Sequence, residues 1–144
     1  MLKTASEYVC EPRDAQQEQW LASELRNMPE PERSQFLADW LSPQHRSAPG
    51  FMAGFDLLKR INLRNGKALQ DLLRKGLEHA DVSDVRWWLK SFTPILGAPA
   101  VARLLVALAD DHPGAVKAAA YWLLDVPEYK ERPDLVRMVR DAIS

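Results

Sequence analysis

The sequence predicts an all-α protein: about eight short helices stacked as antiparallel hairpins in a single domain, residues 1–144, with an irregular compact helical bundle as the alternative. Three observations lead there. Apolar residues recur with helical period in almost every segment, and no stretch alternates convincingly like a half-buried strand. Proline, glycine and aspartate punctuate the chain at short intervals. Two segments also match each other at an offset of 31–32 residues, as stacked helical pairs do.

Taken in order, residues 13–28 place Trp20, Leu21, Leu25 and Met28 on one stripe, and "MPEPER" ends that helix and starts the next. Pro31 suits a first helical turn, where its missing N–H would have had no partner anyway. Glu30 and Glu32 sit at the positive end of that helix's dipole. Phe36, Leu37, Trp40 and Leu41 form its apolar face, so residues 13–41 make an N-terminal helical hairpin. The run "SPQHRSAPG", residues 42–50, is a break, and a helical stack over about 50–144 follows. Its first helix carries Phe51, Phe55, Leu58 and Ile61 on one side. Gly50 and Gly54 there read as local packing, and "RNG" at 64–66 is expected to close the helix with glycine. Residues 67–80 carry Leu69, Leu72, Leu73 and Leu77. "HADVSD" is the next turn, with Ser83 the expected N-cap of a helix holding Val85, Trp88, Leu89 and Phe92. "TPILGAP" is expected to break the chain again before helices at 99–109 and 114–125. Pro133 begins a last helix with Leu135, Val136, Val139 and Ile143.

Composition bounds the class of molecule. A hydrophobic content of 47% with 27% charged residues is that of a globular protein rather than a disordered one. The lone Cys10, in a polar N-terminal stretch, has no intrachain partner, which fits a reducing cytoplasm and a spectator thiol. The opening residues lack the apolar run of a secretory signal, and no window approaches 18 uninterrupted apolar residues, so no membrane partner is expected. Net charge is −1 but unevenly spread. Residues 1–56 hold five basic against nine acidic side chains, residues 57–109 nine against four, and residues 110–144 five against seven. The basic middle third either complements its acidic neighbours or marks an anionic partner.

The internal match joins "LLRKGLEHADVSDVRWWLKSF" (72–92) to "LLVALADDHPGAVKAAAYWLL" (104–124). Both open on a Leu pair, cross an Asp-containing turn and start a new helix with Val and a basic residue, Val85-Arg86 and Val116-Lys117. The segment over 98–126 resembles a HEAT-like repeat, and that over 67–92 does so more weakly. Leu104, Leu105 and Leu108 stand in the first helix, Asp111 and Pro113 in the turn, and Val116, Lys117, Ala119, Ala120 and Leu123 in the second. Departures are a period shorter than the usual ~40 residues, Lys for Arg at 117, and bulk from Trp87, Trp88, Tyr121 and Trp122. The resemblance implies a right-handed α-α superhelix with scaffold or adaptor roles.

No catalytic signature is present: no nucleotide-binding glycine motif, HExxH, paired CxxC or GxSxG. Catalytic residues, metal ligands and cofactors are therefore expected to be none. His79 and His112 lie beside Asp residues in corresponding turns, where both residue types commonly serve as capping groups. The aromatic pattern says more. At about 100° per residue, Val85, Trp88, Leu89 and Phe92 centre on one face, and Trp87 lies roughly 150° away with Arg86 and Lys90. Trp87 therefore either anchors a partner or packs on a neighbouring hairpin. Trp122, off its own helix's stripe of Val116, Ala120 and Leu123, either joins a binding surface or packs against the C-terminal helix.

The expected function is a non-enzymatic protein-interaction module for a protein partner. Its surface centres on Arg86, Trp87 and Lys90 with Trp122, within a basic surround of Arg60, Arg64, Lys67, Arg74 and Lys75. A nucleic-acid partner for the basic middle segment is the first alternative. Some HEAT-like proteins resemble alkylpurine glycosylases, and Asp84 beside Trp87 would be the carboxylate that resemblance implies. The second alternative is a small immunity-type regulator capping one enzyme through an acidic hairpin of Glu18, Glu24, Glu30, Glu32 and Asp39. A homodimer is compatible with each.

Overall fold

The computed structural model describes residues 2–11 and 14–144. Arg13, the first residue of the expected hairpin, lies outside them. Among the described residues there are nine α-helices, three 3₁₀ turns and no strand, so the protein is all-α. The chain divides into two compact units, Met1–Ala68 and Leu69–Ser144.

The first unit holds α1 (Ala5–Val9), α2 (Ala15–Arg26), α3 (Glu30–Trp40), a 3₁₀ turn (Pro43–His45) and α4 (Ala53–Arg60). Sequence periodicity misses α1 because it is five residues long, yet a local signal starts it. The Thr4 hydroxyl accepts from the Glu7 N–H while the Glu7 carboxylate accepts from the Thr4 N–H, a capping box. Tyr8 and Val9 are thereby buried, and α1 packs on α3. Asp14 starts α2 by accepting from the N–H groups of Gln16 and Gln17. The stripe α2 buries is Glu18, Leu21, Ala22 and Leu25. Trp20 is not part of it as expected but 46% exposed, because at about 100° per residue it falls about 150° from the stripe's centre.

Leu37, Trp40 and Leu41 are buried on and just beyond α3 as the pattern predicts. The Trp40 indole N–H donates to the Gly50 carbonyl at 3.0 Å, and its ring lies 6.4 Å from Tyr8 and 6.2 Å from Phe36. His45, buried in the 3₁₀ turn, ties it to both neighbours: Nδ1 is 2.8 Å from the Asp39 carbonyl and Nε2 is 3.2 Å from the Ser6 hydroxyl. The Gly50 N–H donates to the Val9 carbonyl, and a Cβ at Gly54 would meet the Trp40 ring at 2.6 Å, so both glycines serve local packing. The glycine of "RNG" does not close α4. That helix ends at Arg60, and Asn62 takes the left-handed conformation (φ 54°) that asparagine tolerates just past a helix end. Gly66 opens the next helix instead.

That helix is α5 (Gly66–His79), whose first residues belong to the first unit. The second unit continues with α6 (Val82–Leu96), α7 (Ala98–Leu108), α8 (Pro113–Trp122), 3₁₀ turns at Leu123–Asp125 and Pro127–Tyr129, and α9 (Pro133–Ala142). The N-cap of α6 is Asp81, not Ser83. The Asp81 carboxylate accepts from the Asp84 N–H and from the Ser83 hydroxyl, each at 2.9 Å. As expected, α6 ends within "TPILGAP". It runs through Pro94 to Leu96, since burial of Phe92 and Thr93 outweighs the one hydrogen bond a late proline removes. Gly97, at φ 89°, makes the break.

Helix α6 packs against α7 and α8, and α7 against α8 and α9, so the two matching segments share a core. Small residues set the close approaches. Ala118, Ala119 and Ala120 are buried on α8, and a methyl group at Gly76 of α5 would overlap the Trp88 ring. Trp88 in turn stacks on Phe92 with ring centres 5.5 Å apart. Tyr129 is fully buried, its hydroxyl 3.1 Å from the Thr93 hydroxyl. Burial pushes this phenol from the ordinary 10.0 up to about 12, partly opposed by the hydrogen bond to Thr93.

Candidate functional site

With Val85, Trp88, Leu89 and Phe92 turned into the core, α6 presents Arg86, Trp87 and Lys90 on its other side. Trp87 is 38% exposed, the rest of its ring being covered in part by Arg86 and Lys90. The Arg86 guanidinium carbon lies 4.9 Å from the centre of the Trp87 ring and 5.0 Å from that of Trp122. The Lys90 ammonium lies 5.7 Å from the Trp87 centre. These are cation–π distances, so each cation is attracted by the electron-rich ring face it approaches. One guanidinium thus bridges two indoles contributed by α6 and α8.

Trp122, for which the sequence leaves open both a binding surface and packing on the C-terminal helix, is tied to α6. Its indole N–H donates at 2.7 Å to the carbonyl of Val82, in the first turn of α6. The reason is geometric: α6 and α8 lie together, and the Val82 carbonyl offers the indole N–H an acceptor. Two residues absent from the expected surface belong to it. Tyr121, 73% exposed, meets Trp122 edge-on with ring centres 4.8 Å apart. Val82 is also exposed. The signal for Tyr121 was its place beside Trp122 off the Val116–Ala120–Leu123 stripe. Val82 carried none, because only the position of the N-cap decides that it opens the helix.

The remaining expected residues are distributed. Arg60 closes α4, and its carbonyl accepts from Arg26 Nη1 at 2.9 Å. The Arg64 backbone N–H donates to Glu30, and Lys67 is exposed in the opening turn of α5. These three belong to the first unit. In the second, Arg74 and Lys75 are exposed on α5, with Arg74 3.8 Å from Asp71 one turn away. The acidic N-terminal hairpin is partly consumed internally. Glu18 is only 6% exposed, and both Glu30 oxygens accept from the backbone N–H groups of Arg64 and Asn65. Asp84, half-buried, opens α6 rather than standing free beside Trp87.

Electrostatically, α6 and α8 carry Arg86, Lys90 and Lys117 against the single carboxylate of Asp84. Among the described residues, the Arg86 guanidinium makes no hydrogen bond and no ion pair. Its Nε is shielded from water with no acceptor in reach. Elsewhere His112 Nε2 lies 3.7 Å from a Glu78 oxygen, and no group of three or more His, Cys, Asp or Glu gathers among the described residues. Cys10 is exposed. No helix of the described residues is long and apolar enough to cross a membrane. Comparison with family models, with curated proteins and with solved structures gives no match for this chain.

Proposed function

We propose that this protein is a non-enzymatic interaction or adaptor module of the cytoplasm, built on a short HEAT-like helical stack. It docks a protein partner through Trp87, Arg86, Lys90 and Trp122. The observation that carries this reading is the guanidinium held between two indoles, at 4.9 and 5.0 Å, beside an exposed tyrosine. Tryptophan, tyrosine and arginine are the side chains that contribute most where proteins bind proteins. Arg86 and Trp122 already make contacts that limit their freedom before binding, so less rotamer entropy is left for them to lose. Contact between α6 and α8 supports the stacked-hairpin arrangement. A nucleic-acid partner is less well supported, since α6 and α8 offer three cations for phosphates beside a larger exposed apolar surface.

The test is purification from native cells of the parent and of Trp87→Ala, followed by titration of the captured partner at two salt concentrations. The expected result is one stoichiometric protein that Trp87→Ala loses at least tenfold, with affinity little changed by salt. Co-eluting nucleic acid whose binding weakens steeply with salt would replace this reading with the nucleic-acid one.

A further inference from the structure

An arginine carries five N–H donors in a planar fork, and burying any of them without an acceptor is unfavourable. Arg86 departs from that rule. It is half-buried between the Trp87 and Trp122 rings, its Nε is closed off from water, and none of its donors reaches an acceptor among the described residues. The two ring faces satisfy its charge but not its hydrogen-bonding capacity, because a π face accepts along its normal while the N–H groups lie in the guanidinium plane. Contact with two indoles also holds the guanidinium in place before anything binds.

We infer that the two Nη groups of Arg86 receive a carboxylate from an acidic side chain of the partner, with an apolar neighbour of that side chain lying beside Trp87 and Tyr121. The inference rests on the docking reading above and names the chemistry of its partner. A carboxylate matches a guanidinium in planarity and in the spacing of its two oxygens, so both contacts form together. Charge complementarity points the same way, as the cations of α6 and α8 outnumber their carboxylates by three to one. The exposed apolar surface of Val82, Trp87 and Tyr121 next to the fork requires that the carboxylate come embedded in a chain with its own apolar residue. A bare anion would leave that surface wet.

The experiment is an NMR titration of the full chain, following Arg86 Nε–H and the indole N–H groups of Trp87 and Trp122. The probes are end-blocked pentapeptides with a central glutamate or glutamine between leucines, the glutamine peptide with a free C-terminus, and a short oligothymidylate. The glutamate peptide is expected to shift Arg86 Nε–H and the Trp87 indole, and to half-saturate at a concentration at least tenfold below the blocked glutamine peptide. Arg86→Lys keeps the charge but not the fork and is expected to lose at least tenfold of that binding, with a melting curve close to the parent's. If that variant unfolds, the glutamate–glutamine comparison on the parent decides alone. Equal binding of those two peptides overturns the inference, as does undiminished binding by a folded Arg86→Lys. Tightest binding by the free terminus would transfer the site to a chain end, and by oligothymidylate to nucleic acid; either overturns it. A lost glutamate preference with partner capture intact removes this inference alone. A glutamate preference without any cellular partner removes the docking role alone.

Discussion

The two units use the same aromatic residue types in opposite ways. In the first, Tyr8, Phe36 and Trp40 cluster with ring centres 6.2–6.4 Å apart, and the Trp40 N–H ends on the Gly50 carbonyl inside the core. In the second, Trp87, Trp122 and Tyr121 cluster at the surface around a cation. The first arrangement removes apolar area from water and gives the Trp40 N–H an acceptor inside the core. The second leaves apolar area in water and leaves a guanidinium without an acceptor. Burial explains the first by stability alone, whereas the second is the surface on which the proposed docking rests.

Substitutions break or sharpen that contrast, beginning with the largest effect. Trp40→Ala empties the buried cluster and frees the Gly50 carbonyl; it is expected to cost ~3–5 kcal/mol in urea denaturation, a large share of a small protein's stability. Gly76→Ala drives a methyl group against the Trp88 ring and is expected to cost ~1–3 kcal/mol, with altered near-UV circular dichroism from that indole.

Tyr129 adds a pH dependence. Its folded pKa of about 12 exceeds the ordinary 10.0, so the unfolded chain releases this proton first as pH rises. The stabilisation it gives is complete below pH 10 and is lost between pH 10 and about 12, which urea midpoints across that range would display. Tyr129→Phe is expected to flatten that loss while costing ~1–2 kcal/mol at neutral pH, because the buried Thr93 hydroxyl loses its partner. The smallest effect on stability belongs to Trp87→Ala, at most about 1 kcal/mol, since what it loses is the exposed contact with Arg86 and Lys90. A large loss there would mean that Trp87 supports the fold, and the contrast between the clusters would collapse.

Much of the fold is legible in the sequence, for reasons that also locate the misses. Helix α6 follows its 3.6-residue period closely, so Val85, Trp88, Leu89 and Phe92 are buried, while Trp87 is exposed and Arg86 and Lys90 are half-buried. Trp20 goes wrong because proximity to Leu21 in sequence is not proximity on a helix surface. Helix α1 is too short to show a period and is visible only through its Thr4–Glu7 capping box. The ends of α4 and α6 depend on which residue tolerates positive φ, and a chain offering both Asn62 and Gly66 does not announce the choice. The site was half legible. Helical spacing puts Arg86 beside Trp87, but the pairing with Trp122 depends on how α6 and α8 approach, which no local pattern encodes.

The Trp122–Val82 hydrogen bond spans 40 positions of chain. The face described around it therefore has no existence in any short fragment: a peptide copied from α6 would carry the arginine without its second indole. On the proposed docking reading, a partner would read the tertiary structure itself, and an unfolded or clipped molecule would fall silent without any dedicated off-switch.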